Sequence, residues 1–310
     1  MATAVIANKK WHLDHLLYAF VVAAAIALIG INYALAYARH TANTTPINQF
    51  LLNLSFIVPE VIIWFIAARA AKHFKKYAIG IKNSLDGKSL NQIANGLLLL
   101  VIYLVLLGFG GPLESLFVNA FFIRPLVALV NHLPLLLVLG ASILLYSGSK
   151  KLVTLTDSSW LSKRNLLVLL LPYTVCMVLF SVMFYKQAPY LLTPEGIPRY
   201  TLSHSLLIFT YVIPHITVWL LGLITVVNLG WYASRVEGSI YRSLFGDACK
   251  GMILIFISIF FAQLLLISPL VVDNFNIGII LIYAVLILGL IGFGLLYKGA
   301  SKLQKIEELR

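Results

Sequence analysis

The chain has 310 residues, 61% of them hydrophobic and only 11% charged, with a formal net charge of +12. A soluble domain carries about 25% charged residues, so the composition excludes an ordinary soluble globular protein. Several windows of about 20 residues are almost wholly apolar, enough to cross roughly 30 Å of hydrocarbon, and they lack the alternation of barrel strands. The chain therefore reads as an all-α, polytopic helical membrane protein. Its basic residues sit between the apolar runs, where they act as topology signals, and no nucleic-acid partner is expected.

Lys9 and Lys10, then Trp11, His12 and His15, precede a first apolar run over about 16–37. With the small residues Ala34, Ala36 and Ala38 it mimics a cleavable signal, but it exceeds the 7–15 apolar residues typical of one. We read it as a retained first span. The polar stretch RHTANTTP leads to a second span, about 50–71, which carries Ser55, Pro59, Glu60 and Trp64. A basic connector follows, with Lys72, His73, Lys75, Lys76, Lys82 and Lys88. Its Gly87-Lys88-Ser89 matches the tail of a phosphate-binding loop, but the first glycine of that signature would fall on Lys82, so the nucleotide reading fails.

The third span, about 93–109, ends in Gly110-Gly111-Pro112. The amphiphilic segment 113–124, with Glu114 and Arg124, reads as a loop or as a helix lying in the membrane interface. The fourth span, about 125–146, carries Asn131, His132 and Pro134, and a polar linker then separates two halves. The second half repeats the plan, with spans at about 166–185, 206–227, 252–270 and 276–297 and a charged tail. Cys176 falls inside one span and Cys249 at the edge of another; they are too few and too far apart for a metal motif.

Adding 155 to Leu51, Pro59, Trp64, Tyr77, Ser84 and Gly96 lands on Leu206, Pro214, Trp219, Tyr232, Ser239 and Gly251. A second match sets LLYSGSKKL, 144–152, against LLYKGASKL, 295–303. The matched Pro, Trp, Tyr, Gly and Lys residues weigh more than matched Leu and Ile. The expectation is about eight transmembrane helices in two parallel-oriented four-helix repeats, 1–155 and 156–310. An even number of spans per half inserts both the same way round, about an axis along the membrane normal. With the N-terminus inside, 19 of the 23 Lys and Arg lie on the inner side, leaving Arg39, Arg124, Lys186 and Arg199 outside. Both termini are therefore expected in the cytoplasm. The expected setting is the plasma membrane of a prokaryote, with the basic loops against anionic headgroups.

Glu60 and His215 occupy equivalent positions near mid-span. A charged carboxylate there costs about 2.5–3.5 kcal/mol on insertion scales, so Glu60 should face the bundle interior and be protonated, paired or watered. Across the pseudo-axis it is placed to meet His215. Pro59 and Pro214 lack an N–H and release the carbonyls of Ser55 and Thr210, whose hydroxyls can bond to nearby backbone. Both spans are expected to kink there. The candidate midplane polar site is thus Glu60, His215, Ser55, Thr210, Asn131 and His132. Trp64 and Trp219 read as core or interface anchors.

No connector is large enough to hold a soluble catalytic domain, and paired carboxylates, a histidine-rich metal motif and a nucleophile elbow are all missing. No enzymatic role, metal or cofactor is expected. His132 with His204 is the one pair to test for haem ligation, and a retinal site is excluded because mid-span lysines are lacking. The function expected is a small-solute or proton-coupled transporter, its midplane site between the two kinked spans and its substrate a small molecule or ion. The alternative is a non-transporting sensor or assembly protein that acts through its basic cytoplasmic loops. That alternative predicts a dry, well-packed interior.

Overall fold

The computed structural model describes residues 2–38, 45–81, 84–117, 124–154, 213–236, 239–267 and 275–308. They form seven helices: α1 (Ala2–Ala38), α2 (Pro46–Gly80), α3 (Leu85–Phe117), α4 (Arg124–Thr154), α5 (Ile213–Arg235), α6 (Ser239–Ile267) and α7 (Phe275–Glu308). All seven are long and apolar enough to cross a membrane. The protein is a helical membrane protein, in keeping with the rule that spanning backbone must satisfy its own hydrogen bonds. The span expected at 166–185, with Cys176, lies outside the described residues. So do the beginning of the next, with Thr210, and His204.

The helices outrun the apolar windows. Most of the basic connector of 72–88 is helix, because α2 continues to Gly80 and α3 begins at Leu85. Lysine is a good helix former, and Ala70, Ala71, Phe74, Tyr77 and Ala78 remain buried along this extension. The turn is set by Ser84. Its hydroxyl accepts from the Gly87 N–H at 2.9 Å, capping α3, and donates to the Ile81 carbonyl at 2.8 Å. At its start α2 is capped by Thr45, which accepts from the Asn48 N–H at 3.3 Å, with Pro46 in the first turn. Such a proline sacrifices no helical hydrogen bond. Nor does Gly110-Gly111-Pro112 end α3, which runs on to Phe117. The segment 113–124 therefore begins as the last residues of α3 and ends at the first residue of α4.

The packing makes a closed ring. Each helix from α2 to α7 packs on the next, α7 returns to α2, and α1 lies outside against α2 and α3. Buried alanines at 67, 68, 70 and 71 bring the α2 backbone close to its neighbours, the usual device where lipid supplies no hydrophobic drive between helices. Large apolar residues such as Leu16, Ile26, Ile47, Leu136, Ile280 and Ile287 point outward, where they suit acyl chains. The ring centre is nearly filled. Phe74, Leu97, Leu145, Leu229, Phe245 and Leu296 close around a void of about 10 Å³.

Two helix pairs approach closely through glycine. A Cβ on Gly96 would lie 3.0 Å from the Ala141 carbonyl and 2.8 Å from Leu145 Cγ; one on Gly148 would lie 2.8 Å from the Ser89 carbonyl. In α6 and α7, a Cβ on Gly251 would lie 2.6 Å from the Gly292 carbonyl, and one on Gly299 2.9 Å from the Leu244 carbonyl. Hydroxyls tie the ring near the ends that carry the basic residues. Tyr77 of α2 bonds to Tyr241 of α6 at 2.6 Å, and Tyr232 of α5 is in hydrogen-bonding reach of Asp86 of α3. Lys75 of α2 donates to Asn91 and Asn95 of α3, both at 2.7 Å.

The glycine contacts give a direct test. Gly148→Val and Gly251→Val are each expected to lower stability by about 1–3 kcal/mol through overpacking against backbone. Gly30, where a Cβ meets nothing within 4 Å, should accept valine with a change within about 0.5 kcal/mol. Thermal unfolding of the three variants in detergent measures the difference.

Candidate functional site

A cavity of about 70 Å³ lies between α2, α3, α6 and α7. Glu60 and Trp64 enter it from one face of α2, four residues apart, the spacing that stacks side chains on a helix. Tyr103 of α3 and Ser258 of α6 are its other polar residues; the rest of the lining is apolar and includes Leu104, Leu107, Ile259, Leu286 and Phe293. Among the described residues no Lys, Arg or His lines it.

The glutamate is held by a missing side chain. A Cβ on Gly108 of α3 would collide with Glu60 Oε1 and would lie 2.8 Å from Trp64 Cζ2, so a larger residue there would force the carboxylate or the indole to shift. The Gly108 carbonyl has a second property. Pro112, four residues later in the same continuous helix, offers no N–H to it. Trp64 is fully buried and stacks on Phe109, with ring centroids 6.4 Å apart, and its indole Nε1–H has no acceptor. Among the described residues Glu60 has no hydrogen-bond or ion-pair partner. Ser258 donates to the Val285 carbonyl at 2.9 Å, bridging α6 to α7, and its lone pairs stay available. A buried polar group without a partner costs about 1–3 kcal/mol. Trp64 places one such group beside the void, and Glu60, half-buried, adds an unpartnered carboxylate.

Ser55, one and a half turns from Glu60, closes the α2–α7 seam on the side away from Trp64. Its hydroxyl donates to the Leu52 carbonyl at 2.7 Å and meets the Tyr283 hydroxyl at 3.0 Å. Phe56 adds a ring contact with Tyr283, 5.0 Å between centroids. At the opposite end His73 packs on Tyr297 at 5.6 Å. The cavity is thus bracketed along one seam by aromatic contacts.

The other expected site residues are placed differently. His215 lies on α5, buried at 7% exposure, and does not line the Glu60 cavity. Nor does any residue of α5: the void sits between α2 and α7, with α3 and α6, rather than between the spans of Pro59 and Pro214. The reason is the ring order, in which α5 packs on α4 and α6. Pro59 lies inside α2, whereas Pro214 is the second described residue of α5. Asn131 and His132 belong to α4, where the described structure gives their backbone only. Trp64 and Trp219 are both core residues, at 0% and 4% exposure, and Trp219 packs on Phe260 at 5.0 Å. Cys249 is half-buried and donates to the Val226 carbonyl at 3.4 Å, joining α6 to α5. Among the described residues no cluster of His, Cys, Asp and Glu could hold a metal ion.

Tyr103, Ser258, Gly108 and Tyr283 were not legible as site residues. Pro112 was the available signal, since a proline inside an apolar helix points to a freed carbonyl one turn earlier. The chain matches no known protein family, no curated protein and no solved structure.

The tight fit at Gly108 predicts coupling. Gly108→Ala should cost about 1–3 kcal/mol in the wild-type background. In a Glu60→Ser background the cost should fall by at least about 0.5 kcal/mol, the coupling expected of residues in contact. A double-mutant cycle on thermal or denaturant unfolding in detergent measures it; strict additivity would separate the two residues.

Proposed function

We propose that the protein is a small-solute or proton-coupled transporter of the plasma membrane of a prokaryote, with Glu60 at its midplane site. The observation that carries this reading is the cavity around Glu60, lined by α2 and α3 from the first half of the chain and α6 and α7 from the second. Ionisable residues within spanning segments are costly and mark substrate or proton paths. Duplicated transporters place such sites between repeats near the midplane. A sensor or assembly protein with a dry interior has no need of a void beside an unpartnered carboxylate.

The transport reading includes eight spans in two parallel four-helix repeats, with both termini cytoplasmic. Pairs of contacts related by exchange of the halves support it. Tyr77 with Tyr241 answers Tyr232 with Asp86, each residue displaced by 155 positions. Gly96 on Leu145 answers Gly251 on Leu296, and Gly148 on Ser89 answers Gly299 on Leu244. The packing of α2 on α7 answers that of α5 on α4. These are the contacts that a two-fold axis along the membrane normal produces. In such a duplication the kinks at Pro59 and Pro214 are shared architecture. The Glu60 cavity, with no counterpart carboxylate at His215, is where the halves have diverged. The basic ends of the helices would rest on anionic headgroups at the cytoplasmic face.

Flux through proteoliposomes tests the reading. Uptake of a transported solute or of protons by wild-type protein should fall at least about tenfold in Glu60→Gln, the loss of one interaction worth about 1.4 kcal/mol. Unchanged flux in the variant would remove Glu60 from the mechanism. No flux across a panel of small solutes, protons included, would sink the transport reading itself. For the topology, an epitope placed after Arg310 should become reactive in intact cells only after the membrane is permeabilised.

A further inference from the structure

We propose that the Glu60 cavity binds a small primary alkylammonium ion of about three heavy atoms; this takes the cavity assigned above as the site and names its ligand class. Size comes first. An engineered cavity of about 150 Å³ holds benzene, so the volume of about 70 Å³ here suits a group about half that size, such as methylammonium or ethylammonium.

Charge comes next. Glu60 faces a void that no Lys, Arg or His among the described residues lines, and an ionised carboxylate taken out of water needs a cationic partner. A cationic ligand would supply it. The Phe293 ring borders the same void, and an aromatic ring attracts a cation by about 0.5–2 kcal/mol.

Hydrogen bonding separates an ammonium head from a metal ion. An ammonium group has three N–H donors and no acceptor. The residues around the void bring such acceptors: the Glu60 carboxylate and the hydroxyl oxygens of Tyr103 and Ser258. Hard metal cations ask for about six oxygen ligands or more, which this lining does not offer. The apolar remainder, Leu104, Leu107 and Ile259 among it, is suited to a short alkyl tail and ill suited to a hydrated ion. The orphaned indole N–H of Trp64 repels an ammonium head, so the head should lie towards Glu60 and Ser258 and the tail along the indole.

The test uses the purified full-length protein in lipid nanodiscs. Methylammonium and ethylammonium chloride should raise its melting temperature saturably, by at least about 3 °C at saturation, and change its tryptophan fluorescence with the same midpoint. Butylammonium and tetramethylammonium should bind at least about tenfold more weakly. Sodium and potassium chloride at matched ionic strength should do nothing. Glu60→Gln should lose both responses. Should that variant fail to fold, Leu104→Phe, which fills the void and keeps the carboxylate, should lose them instead. An equal response to sodium or potassium, a response retained in Glu60→Gln, or no response in the wild type would overturn the proposal. Ethylammonium binding without ethylammonium flux in proteoliposomes would overturn the transport reading and leave the ligand class standing. Flux of another solute without alkylammonium binding would overturn the ligand class alone.

Discussion

A peptide group in hydrocarbon has no water to bond, and each unsatisfied one costs several kcal/mol. That constraint fixes nearly everything else in this molecule. It makes all seven described spans helical and carries α3 intact through two glycines and a proline. It also removes the hydrophobic drive between helices, because a lipid tail is as apolar as leucine. Helix pairing then depends on how closely backbones can approach. Here the answer is glycine, at positions where a Cβ would stand within about 3 Å of a facing carbonyl.

Against that background, the few polar groups inside the ring fall into two kinds. Most are satisfied and mechanical. Lys75 is clamped by two asparagines, Asn228 donates to Ser149 at 3.1 Å between α5 and α4, and Lys302 pairs with Asp247 between α7 and α6. They hold neighbouring helices in register near the ends of the spans. Glu60 belongs to the other kind. Its place is prepared by the absence of a side chain at Gly108, and the carbonyl there has lost its own donor to Pro112. A fold that needed only stability would gain by replacing the pair with apolar atoms of the same volume.

The cavity also has a direction. Beyond Trp64, towards the ends that carry the basic residues, the ring is filled by Phe74, Leu97, Leu145, Leu229, Phe245 and Leu296. On the other side the α2–α7 seam is held by Ser55 and Tyr283, and Tyr283 is partly exposed. A shift of α7 against α2 alters that seam without touching the glycine contacts that join α7 to α6.

The sequence by itself determined the solvent and the helical class, and it singled out Glu60. Each follows from composition or from the cost of one residue in hydrocarbon, and none depends on which helix stands beside which. It read helix ends less well, because hydropathy marks the apolar windows while α2, α3, α6 and α7 continue as helix beyond them. It also could not choose partners. Glu60 and His215 look like a facing pair when the halves are laid side by side, yet the ring sets α7 beside α2 and keeps α5 against α4 and α6. Apolar faces of similar composition are nearly interchangeable in a sequence. Only the tertiary packing decided that Glu60 lies against Gly108 and shares a cavity with Tyr103 and Ser258.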